Sequence, residues 1–164
     1  MRPSELAELF DYLADSRSRF LSTFRQRGWA EFVRDRGVSW GSPLAVLLHM
    51  LDDEEGWLQY AARGRSIVGA PDRRPDAYTS FEQVAEDSDR VAALTRALLA
   101  GSSEAQLEGT VEFAESTGTT RRPMQKILLH AAVDELAHLG ELIGLLWQDD
   151  VKPPYLDWLD YRVA

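Results

Sequence analysis

Three histidines offer the most specific chemistry in this sequence, and each has a carboxylate one helical turn away. His138 lies four residues after Asp134, and His49 lies four residues before Asp53. Side chains four apart on a helix are neighbours, so Asp134 and His138 can reach one atom together. Imidazole nitrogen and carboxylate oxygen are ligands for zinc, nickel and similar divalent ions. A third ligand from a facing helix would complete a metal site.

A helical wheel places these polar residues in largely apolar surroundings. At about 100° per residue, His49 and Asp53 are about 40° apart within an apolar stripe. A second polar arc of about 80° contains His130, Asp134, His138 and Glu141. This pattern predicts a polar island on a helix that is apolar on most sides. The competing interpretation is a hydrogen-bonded histidine–carboxylate pair without a metal, because such pairs also occur on ordinary helix faces.

Composition narrows the classes of function. The 164 residues include no cysteine, so any thiol chemistry must use a thiol from outside the chain. The net charge of −9 disfavours a broad nucleic-acid-binding surface, which would need clustered Lys and Arg. There is no glycine-rich phosphate loop. No apolar run is long enough for a membrane span, and the first residues lack the layout of a secretory signal, so we expect a cytoplasmic protein.

The apolar spacing is helical almost throughout and predicts four long helices. N-cap signals stand at Ser4, Ser42 and Ser80, and Pro43 occupies the first position of the second helix. Pro123 opens the fourth helix. The predicted helices cover about 4–28, 42–63, 80–101 and 123–147, with a short helical turn at 29–33.

Three stretches do not follow this periodicity. Residues 64–78 are rich in Gly, Pro, Arg and Asp, which is typical of a long surface loop. The pattern of residues 102–122 predicts an irregular crossover connection that can contain a small hairpin. Residues 152–164 form a tail too aromatic for solvent, and we expect it to dock on the bundle or on a neighbouring subunit. The predicted fold is one all-α domain over 1–164, a four-helix bundle with long crossover connections.

Two segments resemble the DinB/YfiT-like superfamily. Residues 47–58, LLHMLDDEEGWL, are similar to the second-helix motif of that family, a histidine followed by an acidic residue and then Trp-Leu. Residues 130–141, HAAVDELAHLGE, are similar to its fourth-helix block, in which a histidine precedes a Gly-Gln or Gly-Glu pair. The order, spacing and number of helices extend the resemblance over nearly the whole chain.

This resemblance implies a four-helix bundle, often a homodimer, that carries a divalent metal ion, zinc or nickel. Matched by position, the metal ligands would be His49, Asp134 and His138. Many relatives have histidine in place of Asp134, whereas mycothiol-dependent maleylpyruvate isomerase, a member of the family, has a carboxylate there. His130 and Asp53 are alternatives, either as ligands or as hydrogen-bond partners of a ligand. About 12 Å of helix rise separate His130 from His138, which favours Asp134 as the ligand paired with His138.

The resemblance also implies a class of reaction. Relatives include enzymes that use mycothiol or bacillithiol, so we expect a metal-dependent transferase or isomerase that uses a low-molecular-weight thiol on a small-molecule substrate. The alternatives are a non-catalytic, stress-associated bundle with a structural metal or none, and a bundle that binds a small ligand. Trp57 and Tyr60 could form a pocket wall or belong to the core. Asp52 and Glu55 are expected to be solvated, and no catalytic acid or base can be assigned.

Overall fold

The computed structural model describes residues 1–66, 70–115 and 117–161. Its elements in chain order are α1 (Pro3–Arg27), α2 (Trp29–Val33), α3 (Pro43–Glu55), α4 (Phe81–Ala100), α5 (Glu104–Glu108), β1 (Thr110–Glu115), β2 (Gly118–Pro123) and α6 (Met124–Gln148). Helices α1 and α3 each pack against both α4 and α6, so α1 lies diagonally opposite α3. The predicted four-helix bundle with long crossover connections is therefore confirmed. Within the described part of the chain, no helix is long and apolar enough to cross a bilayer.

The helix starts follow the cap signals at two of three positions. Ser42 accepts a hydrogen bond from the Ala45 amide at 3.2 Å, as its spacing predicts. The prediction of Ser4 as a cap is wrong, because α1 begins at Pro3 with Arg2 as its N-cap. Proline is favoured at the first helical position, and the Arg2 amide donates to Glu5 Oε2 at 2.8 Å, which anchors the earlier start.

The second predicted helix reaches Arg63, but its winding changes on the way. After α3 ends, a π-helical turn covers Gly56–Tyr60 and a 3₁₀ turn covers Ala61–Arg63. Gly64 ends the segment in the left-handed conformation, with φ at 71°. A π-helical turn holds more residues than an α-helical turn and changes which way the following side chains face. A uniform period of 3.6 residues does not anticipate this change.

The connections contain more regular structure than the sequence predicts. Strands β1 and β2 pair as an antiparallel hairpin, with Thr110 opposite Pro123 and Glu115 opposite Gly118. Helix α5 was not predicted; the Ser103 hydroxyl caps it by accepting from the Gln106 amide. The loop predicted at 64–78 includes a 3₁₀ turn at Pro75–Ala77. Residues 67–69 of that loop and residue 116 of the predicted crossover lie outside the described residues.

The aromatic tail lies against α1. The ring of Tyr12 meets Trp158 at a centroid distance of 5.2 Å and Tyr161 at 5.3 Å, both edge to face. The Arg19 guanidinium donates to the Tyr155 carbonyl at 3.1 Å. Edge-to-face aromatic pairs are favourable beyond their buried area, so these contacts hold the tail on the bundle. The last residues of the predicted tail, 162–164, are not among the described residues.

A buried arginine joins all four long helices. Arg17 of α1 is 0% exposed and donates from Nη1 to Glu54 of α3 at 2.6 Å and to Glu135 of α6 at 2.5 Å. Two hydroxyls of α4 complete the group: Ser88 accepts from Arg17 Nε, and Thr95 donates to Glu54. Burial raises the pKa of Glu135 to about 8; the Arg17 guanidinium opposes this shift, and the negative charge of Glu54 adds to it.

Replacing Arg17 with Met should destabilise the fold strongly at pH 7. The change leaves the buried Glu54 and Glu135 carboxyl groups without their guanidinium partner, and breaking a buried ion pair in this way costs about 3–5 kcal/mol. Urea-induced unfolding measures the loss directly. Arg96→Ala is the control, because Arg96 is half exposed in its ion pair with Asp11 and should cost at most about 1 kcal/mol. A loss for Arg17→Met no larger than for the control would contradict this account.

Candidate metal centre

Three polar side chains from two packed helices meet at the seam between α3 and α6. His49 comes from α3, and Asp134 and His138 come from successive turns of α6. Each offers one ligand atom, and these atoms all lie within 4.8 Å of one another. Asp134 Oδ2 is 3.4 Å from His49 Nε2 and 3.5 Å from His138 Nε2. The structure thus brings together the three residues that the sequence predicts as a group.

The Asp134 carboxylate has an unsatisfied oxygen at the centre of this group. Asp134 Oδ2 is buried and has no hydrogen-bond partner among the residues described. A buried carboxylate oxygen without a partner is costly, and a bound cation would remove that cost. Ligands about 2.0–2.2 Å from a tetrahedral ion lie about 3.3–3.6 Å apart. The two distances from Asp134 Oδ2 fall in that range, and all three ligand atoms lie within 4.8 Å of one another, so the donor set is of the kind that a divalent ion such as zinc accepts.

A carboxylate fixes the orientation of the His138 ring. His138 Nδ1 lies 2.9 Å from Glu141 Oε2, and the Glu141 carboxylate also accepts from the Ser39 amide and hydroxyl. Burial alone would raise the pKa of Glu141, but these hydrogen bonds from His138 and Ser39 hold it below its ordinary value. Because an ionised carboxylate only accepts, Nδ1 carries the proton and Nε2 is free to face the cluster.

The His49 ring is covered on one face by an indole. Trp40 stacks on it at a centroid distance of 3.9 Å and an interplanar angle of 22°. The His138 ring meets His49 edge to face at 4.8 Å. Trp40 belongs to the connection between α2 and α3 and is 50% exposed. It therefore separates the cluster from solvent on that side.

Comparison with known protein families identifies the family of this chain. A family model described as the DinB superfamily matches residues 35–142, which include every residue of the cluster and its partners Ser39, Trp40 and Glu141. The chain belongs to the DinB superfamily.

Similarity to solved structures is consistent with this membership. The crystal structure of a DinB-like protein, YjoA from Bacillus subtilis, aligns with 91% of this chain and 97% of that chain at a TM-score of 0.67. The two sequences are 14% identical, so the likeness describes the shared fold alone. No curated protein matches the chain.

The two alternative ligands of this DinB protein occupy different places. Asp53 lies beside Asp134, and burial raises its pKa, with the neighbouring Asp134 carboxylate adding to the shift and His49 opposing it. His130 is not in the three-residue group; its ring packs edge to face on Trp57 at 4.8 Å. The structure thus brings Asp134 to the two other histidines and leaves His130 one turn away.

Of the two aromatic residues predicted as a pocket wall, Trp57 lines a cavity and Tyr60 does not line the same one. Trp57 lines a cavity of about 300 Å³ together with His130 and Phe113. Tyr60 does not line that cavity, although it lies in the same π-helical turn. A different cavity, of about 400 Å³, is bounded by Trp40, His49 and Arg73. Two spaces therefore flank the seam, one beside His49 and one beside His130.

Arg73 fastens the segment that walls the cavity beside His49. Its guanidinium donates to Asp52, Glu55 and Asp87, each at 2.6 Å. Glu55 is buried, so the expectation that Asp52 and Glu55 are solvated is wrong. Both carboxylates instead bind an arginine that lies far along the chain, a pairing that local periodicity does not reveal.

Sequence reasoning placed Glu141 in the polar arc without pairing it with His138, and it missed Ser39 and Trp40 as partners of the cluster. Glu141 stands three residues after His138, a spacing that brings side chains together on a helix and could have marked the pair. Ser39 and Trp40 lie in a connection without periodicity, so nothing in their spacing indicates contact with α3 or α6.

Replacing Asp87 with Asn should lower the free energy of unfolding at neutral pH. It should also make that free energy fall less steeply as the pH is lowered. Burial would raise the pKa of Asp87, but hydrogen bonds from Arg73, Tyr78 and Arg90 hold it well below its ordinary value. Such a group stabilises the fold above the unfolded-state pKa of about 3.9, and this contribution is lost as the pH falls. We expect a loss of about 2 kcal/mol at pH 7 that shrinks towards pH 3.

Urea unfolding of wild type and Asp87→Asn at several pH values measures this difference. Asp89→Asn is the matched control, because Asp89 is exposed on the same helix and its replacement changes the net charge equally. Parallel pH curves for wild type and Asp87→Asn would show that the Arg73 contacts do not depend on the Asp87 charge.

Proposed function

We propose that this DinB-superfamily protein binds a divalent metal ion, zinc or nickel, through His49 Nε2, Asp134 Oδ2 and His138 Nε2. The observation that carries the proposal is the buried, unpartnered Asp134 oxygen within 3.5 Å of two imidazole nitrogens. Two neutral imidazoles and one carboxylate match the donor preference of these ions. The hydrogen bond from His138 to Glu141 supports it further, since metal-binding histidines commonly donate their other N–H to a carboxylate.

We further propose that the protein is a transferase or isomerase that uses a low-molecular-weight thiol. With three protein ligands, a bound ion keeps an open position and favours the anionic form of a thiol or water placed there. The chain has no cysteine, so the thiol comes from outside. The protein's own contribution is to orient His138 through Glu141, to cover His49 with Trp40 and to leave access through the cavity beside His49.

Metal affinity should depend on the cluster and not on the neighbouring histidine. We expect wild-type protein, purified without an affinity tag, to bind one zinc or nickel ion per chain. His49→Ala should weaken binding by more than about 100-fold, because it removes a ligand. Glu141→Gln should weaken it by about 10- to 100-fold, because a neutral amide no longer fixes the tautomer and orientation of His138 as a carboxylate does. Isothermal titration calorimetry and elemental analysis give the affinities and the stoichiometry.

His130→Ala is the matched control for this series. It removes an imidazole one turn from Asp134 on the same helix, and its affinity should stay within about threefold of wild type because it supplies no ligand. If His130→Ala weakens binding as much as His49→Ala, the assignment of the ligands is wrong. Full metal occupancy in His49→Ala would remove the proposed site.

The zinc-loaded protein should accelerate attack by an external thiol. In the reaction of N-acetylcysteine with monobromobimane, sulfur replaces bromide and the product fluoresces. We expect wild-type protein to raise the rate at least about tenfold over the same concentration of free zinc, because the ion favours thiolate, and His49→Ala to give no increase. Full zinc binding without acceleration would favour the non-catalytic alternative, most clearly if chelation also lowers the melting temperature.

A further inference from the structure

A cavity between the hairpin and the first turns of α6 is not used by the metal cluster. It measures about 300 Å³, the lower end of the range for small-molecule sites. We call it the hairpin cavity, and its lining consists of Trp57, Phe113, Arg122, Lys126, Ile127 and His130.

The pairing of the hairpin explains how Arg122 and Phe113 reach the same space. Arg122 pairs with Val111, and Phe113 pairs with Thr120 two positions along. Residues two apart on a strand point to one face, so Phe113 and Arg122 share the face that turns towards α6. Arg121 points to the opposite face and donates to the Thr110 hydroxyl.

The hairpin cavity is positively charged in a chain of negative net charge. The side chains of Arg122 and Lys126 have no ion-pair or hydrogen-bond partner among the described side chains, which exclude those of 67–69, 114–116 and 162–164. Most arginines of this chain are paired with carboxylates, in keeping with its net charge of −9. The first turn of α6, which carries Lys126, adds the partial positive charge of a helix N-terminus. Two free cations therefore stand at the rim of one cavity.

The floor of the hairpin cavity is apolar and partly aromatic. The rings of Trp57 and Phe113 meet edge to face at 6.0 Å, and Phe113 and Ile127 are each 2% exposed. Such walls favour a flat apolar body, while an arginine and a lysine at the rim favour a carboxylate or similar anion. From this combination we propose that the hairpin cavity binds a small organic anion with a planar apolar body.

The position of the cavity relates it to the metal cluster. His130, Asp134 and His138 lie on one side of α6, and one turn, about 6 Å of rise, separates His130 from Asp134. A molecule held beside His130 in the hairpin cavity thus lies about one helical turn from Asp134 along α6. Its role as substrate rests on the proposed function, whereas its binding rests on the cavity alone.

Calorimetric titration with 2-naphthoate tests the proposal, with the uncharged 2-naphthamide as the comparison ligand. The protein is first kept metal-free with a chelator and then loaded with zinc. We expect the metal-free wild type to bind 2-naphthoate, and Arg122→Ala/Lys126→Ala to weaken that binding about five- to tenfold, because two rim cations are lost. The amide should bind more weakly and should not respond to the double variant.

Arg121→Ala/Lys152→Ala is the matched control, because it also removes two exposed cations and neither residue lines the cavity. It should change the affinity for 2-naphthoate less than twofold. Equal losses in the two double variants, or no binding of 2-naphthoate by wild type, would overturn the proposal. Binding that requires zinc and is abolished by His49→Ala would overturn it as well, since the carboxylate would then be held by the ion.

These outcomes are separate from those of the metal proposal. Binding of 2-naphthoate without any binding of zinc would leave the hairpin cavity in place and remove the metal-dependent function. Binding of zinc without any binding of 2-naphthoate would do the reverse.

Discussion

The fully buried Arg17 guanidinium constrains how the four long helices pack. It takes a carboxylate from α3 and another from α6, and hydroxyls of α4 bind the same group. A slide of one helix by a turn, about 5.4 Å, would leave a buried charge without its partner. A buried ion pair also specifies which atoms must meet, because its hydrogen bonds are short and directional. The bundle is therefore held in one register by a few polar atoms at its centre.

The geometry of the candidate metal centre depends on that register of the helices. Glu135 and Glu54 point to Arg17, and the residue before each, Asp134 and Asp53, is rotated by about 100° towards the seam between α3 and α6. In each pair of adjacent acids, the glutamate therefore faces the buried Arg17 and the aspartate faces the seam. The glutamates are neutralised inside the bundle, whereas the Asp134 carboxylate keeps an oxygen without a partner beside two imidazoles. The alignment of helices that pairs Glu135 with Arg17 thus leaves one oxygen of the neighbouring Asp134 without a hydrogen-bond partner.

Sequence periodicity predicts the long helices because each buries one apolar face, and the i, i+4 spacing marks Asp134 with His138. The buried charge network was missed although its signal is present. Arg17 occupies a position on the apolar stripe of α1 between Leu13 and Phe20, where a charge needs a buried partner. Periodicity assigns such a position to the core, but it does not say which distant carboxylate compensates the charge. The π-helical turn at Gly56–Tyr60 could not be predicted in this way, because the periodicity argument assumes a constant number of residues per turn.

The connection between α2 and α3 has no periodicity, yet it supplies two contacts to the cluster. Trp40 stacks on His49, and the amide of the preceding Ser39 donates to the carboxylate that orients His138. Because Ser39 and Trp40 are adjacent, we expect a local opening that lifts the cover also to disturb the orientation of His138. In terms of amide hydrogen exchange, the Ser39 proton exchanges when its bond to Glu141 breaks, so its protection reports the free energy of opening this contact beside the cluster.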